Sequence, residues 1–186
     1  MAVPDRERTE AILASYQLPE GILRHSRGVA RVARAAARLV SEAGVPVDAA
    51  LVEAAAVLHD VDKPDTRGSL QHGIAAAATL SNLGHEELAL PIASHPVTAL
   101  MDEERFPRGW ESVIVSVADR HVTQEFVTTD ERFDDLAERY PQYRDDLEQA
   151  RPRAHALEAE LAELTCLALD ELVARLRAAW QEGAEA

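Results

Sequence analysis

Five arginines, Arg24, Arg27, Arg31, Arg34 and Arg38, recur at steps of three and four between Gly21 and Ala43. That spacing gathers side chains on one face of an α-helix and marks the face as solvated. His25, Val29, Val32, Ala36 and Leu39 keep the same steps on the other side. A helix this long with one apolar stripe must be covered by other elements, and it carries a histidine into the covered region. Gly44 and Pro46 end it.

The same logic runs along the rest of the chain. The spacing predicts a first helix over Pro4–Tyr16, ahead of Pro19. Asp48 reads as the N-cap of a third helix reaching His59, with Val52, Ala55 and His59 on its buried stripe. Pro64 and Gly68 make Val61–Gly68 a loop, and Ser69 is expected to cap a fourth helix, Leu70–Leu83, closed by Gly84. A fifth covers Glu86–His95, where Pro91 either kinks it or confines it to its second half. A sixth runs from Gly109 to Val122, and a seventh opens at Asp130 and stops near Tyr140-Pro141. A long last helix from Tyr143 to Trp180 is expected to break near Pro152, and the tail Gln181–Ala186 to fray.

No strand signal competes with this series. Glycine is scarce and alanine abundant, which favours helices. The expectation is one all-α domain over residues 1–186, with a core at about 21–122 and a helical C-terminal extension at about 128–180. The formal net charge of −14 disfavours a nucleic-acid polymer as partner, because such binding rests on basic patches. It leaves a small anionic ligand open, since a bound metal inverts the local field. The N-terminus Met-Ala-Val-Pro-Asp-Arg lacks a signal-peptide stretch, and no apolar run approaches the roughly 18 residues of a membrane span. A cytoplasmic protein without a membrane partner is therefore expected. Cys166, the single cysteine, lies in the apolar run Leu164–Leu169 and reads as a buried, inert thiol. Trp110 and Trp180 read as packing anchors, His85 and His155 as surface residues, and Asp130–Glu138 as a solvated helix face.

Four polar residues stand where apolar ones belong. They are His25, the adjacent His59 and Asp60 in Val57-Leu58-His59-Asp60, and Asp119 in Val115-Ser116-Val117-Ala118-Asp119. Burying such groups without partners costs several kcal/mol, so they are normally paired or bound to a metal. Two histidines and two aspartates form an N/O donor set that suits Mn, Fe, Co, Ni, Zn or Mg rather than a thiolate-preferring ion.

In this order of ligands the chain resembles the HD-domain superfamily of metal-dependent phosphohydrolases. The matching segments are Arg24-His25-Ser26-Arg27-Gly28-Val29-Ala30, Ala56-Val57-Leu58-His59-Asp60 and Ala118-Asp119. They span about Gly21 to Val122, and the C-terminal third carries no motif of the family. Two more histidines, His72 in Gln71-His72-Gly73 and His95 in Ala93-Ser94-His95-Pro96, lie between the His-Asp pair and the last aspartate. That arrangement is similar to the dinuclear branch, in particular to bacterial enzymes that split symmetrical dinucleoside tetraphosphates. The resemblance implies that His25, His59 and Asp119 hold one ion, His72 and His95 a second, and Asp60 bridges them. Read as residues alone, His72 and His95 are equally ordinary surface or substrate-contacting histidines.

The resemblance further implies one or two divalent ions per chain, iron or manganese foremost, and a metal-activated water attacking the phosphorus. It assigns Asp60 a catalytic as well as a ligand role, and Lys63 a catalytic as well as a substrate-binding one. Of the 19 basic residues only Lys63 is lysine, and it lies three residues after Asp60, placed to meet a phosphate as a point charge or simply solvated in its loop. Asp62 departs from the small or apolar residue common there in the family, which would weaken phosphate binding. Arg67, Arg120 and His121 are the further candidates for substrate contact, although neither Arg120 nor His121 shares the helix face of Asp119. The substrate expected is a nucleotide or another small phosphorylated metabolite. A di-iron oxygenase of the same superfamily is the first alternative, but an anionic oxygenase substrate would favour a second lysine and the chain has none. A metal-binding regulatory module without turnover is the second. The alanine-rich helices leave room for a homodimer.

Overall fold

The arginine-faced helix is the axis of the fold. In the computed structural model, which describes residues 3–182, it spans Glu20–Glu42 (α2), after a short α1 at Arg6–Ser15. Arg24, Arg27, Arg34 and Arg38 are exposed, while His25, Val29, Val32, Ala36 and Leu39 are buried. α2 packs on α3 (Ala49–Leu58), α7 (Gly109–His121) and α10 (Leu169–Glu182). Short elements follow α3: α4 (Lys63–Thr66), α5 (Ile74–Asn82), α6 (Ala89–Ala93) and 3-10 turns at Glu86–Leu88 and Val97–Met101, with α6 packed on both α3 and α7 and α5 packed on α6. α8 (Thr129–Arg139) and α9 (Arg144–Leu164) lie against one another, and α9 reaches both α7 and the 97–101 turn. Among the described residues there is no strand, only an isolated bridge between Val122 and Phe126. No helix among them is long and apolar enough to cross a membrane.

Most predicted helix ends hold, and each exception has a local cause. Asp48 caps α3 by accepting from the Leu51 N–H at 2.9 Å. The expected loop 61–68 contains α4, because Pro64 at its first turn needs no N–H acceptor. The fourth predicted helix starts at Ile74 rather than Leu70. Gly73 has φ +79°, and a helix cannot run through that conformation. The fifth is split, with Pro91 inside the first turn of α6. Thr128, not Asp130, caps α8, through a reciprocal capping box with Glu131.

α9 passes through Pro152 without stopping. The proline removes one backbone bond, a cost of about 3 kcal/mol in a free helix, but Ala150, Ala154, Leu157 and Leu161 hold this stretch against the core. The break comes instead at Cys166, whose φ is +54°. The Leu167 N–H bonds Ala162 O and the Cys166 N–H bonds Glu163 O, both at 3.0 Å, which closes the helix as a Schellman turn with cysteine where glycine is usual. Cys166 is therefore exposed, against the expectation of a buried thiol. His85 is buried, contrary to its surface reading, whereas His155 is exposed and pairs with Asp130 at 3.0 Å. Trp110 and Trp180 are half-buried against the core, as anchors should be. Of the tail expected to fray, residues 181 and 182 belong to α10 and the remainder lies outside the described residues.

Gly28 sets how closely α10 approaches α2. A Cβ placed there would stand 3.0 Å from Val122 Cγ1 and 3.4 Å from Trp180 Nε1. A large side chain would wedge α10 away from α2. Gly28→Leu is expected to cost about 1–3 kcal/mol by overpacking, seen as a lower urea midpoint at unchanged slope; an unchanged midpoint would mean that α10 does not depend on this contact.

Candidate metal centre

The centre is assembled from residues that each element delivers for a reason of its own. His25 sits one turn into α2, on its buried stripe. His59 is the C-cap of α3, and Asp60 follows in the turn that leaves it. The Nδ1–H of His59 donates to Ala56 O at 2.7 Å, and that of His95 donates to Ile92 O at 2.6 Å. Since a carbonyl only accepts, both rings have their Nδ1 protonated and aim Nε2 inward. Asp119 lies near the end of α7 and is buried.

Four donor atoms form a first knot. His25 Nε2 lies 3.1 Å from His59 Nε2, 3.0 Å from Asp119 Oδ1 and 3.3 Å from Asp60 Oδ2. His59 Nε2 lies 3.5 Å from both Asp60 Oδ2 and Asp119 Oδ1. A second knot forms on the other oxygen of Asp60. His72 Nε2 is 3.2 Å from Oδ1, His95 Nε2 is 3.7 Å from it, and the two nitrogens are 3.1 Å apart. Donors about 2.0–2.2 Å from a shared ion sit roughly 3 to 3.5 Å from one another, so both knots have the spacing of a coordination sphere. His25, His59 and Asp60 form one group able to hold an ion, and Asp60, His72 and His95 form another. Each carboxylate oxygen of Asp60 faces a different histidine pair.

The electrostatics ask for a cation at the same place. Asp60 Oδ1 and Asp119 Oδ1 are buried without a hydrogen-bond partner. Burial works against both charges, yet His59, Lys63 and His25 hold Asp60, and His25, His59 and Arg132 hold Asp119, well below the usual carboxylate range. Burial also opposes charge on His59, but Asp60 and Asp119 outweigh it and lift its pKa to about 10. Burial, with His59 and His72 adding to it, pushes His95 well below its ordinary value. Each facing pair of Nε2 atoms favours something positive between them, and against burial Asp60 and Asp119 raise His59 in the first pair as Asp60 and Asp62 raise His72 in the second.

Asp62 is where the expectation and the structure part. Its carboxylate does not face the ligand space but is buried beneath it. It lies 3.0 Å from His72 Nδ1 and accepts from the N–H groups of Gly73 at 2.8 Å and Ala76 at 3.1 Å. Asp62 thus orients His72 and supplies the N-terminus of α5 with the acceptor that Gly73 lacks. At Gly73 a Cβ would meet Ile92 O at 3.0 Å and Pro96 Cγ at 3.0 Å, so only glycine lets the His72 turn close on the His95 turn. His72 is not in the first turn of a helix, as predicted, but in the bend before it.

The remaining predicted residues fall on two sides of α7. Lys63 Nζ is 2.5 Å from Asp60 Oδ2, and Lys63 and Arg67 line both cavities that open onto the centre. One cavity, of about 370 Å³, touches His72, His95 and Asp119; the other, of about 550 Å³, touches His25 and Asp60. Arg120 and His121 reach neither. Both are fully buried behind Asp119, where Arg120 donates to Ser116 Oγ at 2.7 Å and His121 Nε2 pairs with Glu158 of α9 at 2.8 Å. Facing away from the cavities, they brace α7, and His121 does so against α9. Sequence reasoning missed Arg132 and Arg139, which also line both cavities. The signal was present for Arg132, since it stands on the stripe of Thr129, Phe133, Leu136 and Ala137, inside a run that reads as solvated.

Fold and centre together define the class: an all-helical domain whose buried histidine and aspartate groups can hold metal ions. Residues 22–123, more than half of the chain, match the model of the HD domain, and the chain belongs to the HD-domain family. No curated protein and no solved structure matches it.

Two outcomes are expected. In metal-free protein the charge on His59 stabilises the fold fully below about pH 6.5 and is lost as the pH rises through about 10. The melting temperature of chelated protein should therefore fall between pH 7 and 10, while manganese-loaded protein, with His59 neutral as a ligand, escapes that loss; parallel curves would contradict it. Asp62→Ala should weaken binding of a second manganese ion about 10–100-fold and spare the first, as read by calorimetric titration.

Proposed function

We propose that the protein hydrolyses a phosphoester or phosphoanhydride bond in a nucleotide or a similar small phosphorylated metabolite, in the cytoplasm and without a nucleic-acid or membrane partner. The observation that carries this reading is Asp60, buried and shared between two histidine pairs, in a centre that borders two cavities with Lys63, Arg67, Arg132 and Arg139 in both walls. Divalent ions held by His25, His59, Asp60 and Asp119, and by His72, His95 and Asp60, would activate a water near neutral pH and neutralise phosphoryl oxygens.

The chain's own groups do the rest. Asp60 and Asp119, ionised and desolvated, fix the negative charge that holds the ions. Lys63, Arg67, Arg132 and Arg139 ring the shared mouth of the cavities and attract a phosphate to a chain whose net charge would otherwise repel it. Lys63 at 2.5 Å from Asp60 can turn from that carboxylate to a phosphoryl oxygen, trading one charge-assisted bond for another. Among the described residues no serine or cysteine beside a base offers a covalent route.

The test is metal content and phosphate release on the protein as purified and after loading with manganese or iron. Two ions per chain, release of phosphate from nucleotides, and a loss of at least about 100-fold in Asp60→Asn support the reading. Consumption of dioxygen by iron-loaded protein with no phosphate released would replace it with the oxygenase reading. Metal uptake with neither activity would leave a binding module.

A further inference from the structure

The 370 Å³ cavity has two unlike halves. One is the metal centre with its cations. The other is built by the C-terminal extension and the 97–101 turn: Leu136, Tyr140, Tyr143 and Leu147 with Met101. Its volume suits a single small ligand. Leu147 is buried, and Tyr140, Tyr143 and Leu136 are half-buried, so their apolar surfaces line the space without filling it. Arg132 lines the same cavity, one turn before Leu136 on α8 and beside Asp119 of the centre. Its side chain is only 12% exposed and its Nε has no hydrogen-bond partner. Its nearest carboxylate, Asp119, is 3.9 Å away, at the limit of an ion pair. A guanidinium this buried normally has its donors satisfied, and its planar fork matches two oxygens of a phosphate.

We propose that the C-terminal extension is the specificity half of the site: Arg132 binds the phosphate of the substrate, and the chamber of Leu136, Tyr140, Tyr143 and Leu147 receives a flat apolar group, an aromatic ring, carried by that phosphate. This rests on the phosphohydrolase reading above and adds the part of the substrate that the metal centre does not see. An apolar chamber opening off a cationic mouth selects a molecule with the same polarity along its length. A sugar phosphate or inorganic pyrophosphate would leave the chamber wet and gain nothing from it, whereas a ring displaces that water and gains from the apolar area it buries. Arg132 also stands near enough to Asp119 to act only as a positioning residue for the metal ligand, and the two roles give different measurements.

The probes are phenylphosphonate and methylphosphonate, which share a head group and resist hydrolysis, titrated calorimetrically into manganese-loaded full-length protein. Phenylphosphonate is expected to bind at least about tenfold more tightly. Leu136→Asn and Tyr143→Ser should each bring that ratio towards one while leaving methylphosphonate affinity as it was. Arg132→Gln should weaken both probes about tenfold at unchanged manganese content, with Arg132→Lys intermediate. Equal binding of the two probes by the wild type overturns the chamber. Loss of manganese in Arg132→Gln, with probe affinity restored once manganese is saturating, overturns the phosphate role in favour of positioning. Melting curves of each variant separate these results from misfolding. A preserved ratio in a protein that releases no phosphate from any ester would sink the hydrolase reading alone, and turnover without the ratio would sink this inference alone.

Discussion

The carboxylate of Asp60 is the interaction on which the rest depends. It is fully buried, and its two oxygens face different partners: His25, His59 and Lys63 on one, His72 and His95 on the other. A bare carboxylate in that position would cost far more than the fold can spare, so everything around it answers the charge. α2, α3, the turn before α5 and the end of α6 each bring one imidazole to it, and α7 brings the second carboxylate. The helices are thus arranged about one charge, which four imidazoles and Lys63 answer.

α7 links this centre to the C-terminal extension by presenting different faces at successive residues. Asp119 points forward to the histidines, and Arg120 and His121 point back. The rear cluster is unusual for a core. Burial pulls Arg120 down to about 10 although Glu158 and Asp119 favour its charge, and Glu158 is held below its ordinary value, against burial, by His121 and Thr129. His121 also stacks on Phe126, which carries Arg177 of α10 on its ring. α9 and α10 are therefore tied to the helix that carries Asp119. The same extension supplies Arg132 and Arg139 to the cavities, so it closes the site as well as bracing it.

The histidines and aspartates at the centre were legible because they break the pattern around them. His25 interrupts an apolar stripe, and His59, Asp60 and Asp119 end apolar runs. Residues that hide in a polar context were harder to read, even where, as for Arg132, the helical stripe carried a signal. Arg132 lies in an acidic helix, and Asp62 sits in a turn whose direction depends on Gly73 closing against Ile92 and Pro96. Arg120 and His121 follow a ligand in sequence yet face the other way, because a helix turns about 100° per residue.

By itself the sequence determined the helical class, most helix ends with a cap or breaker of their own, and the six side chains now found around the centre. The helix ends and the inward places of His25, His59, Asp60 and Asp119 depend on spacing along one chain segment, which is local information; His72 and His95 rest on the resemblance to the HD-domain family. The tertiary structure alone decided that Asp62 turns beneath the centre, that Arg132 and Arg139 join Lys63 and Arg67 at the cavities, and that the C-terminal helices wall one of them. It also decided that Pro152 would be tolerated and Cys166 would make the break. Such outcomes depend on contacts between segments far apart in the chain, where packing overrides the local preference of a proline or a loop.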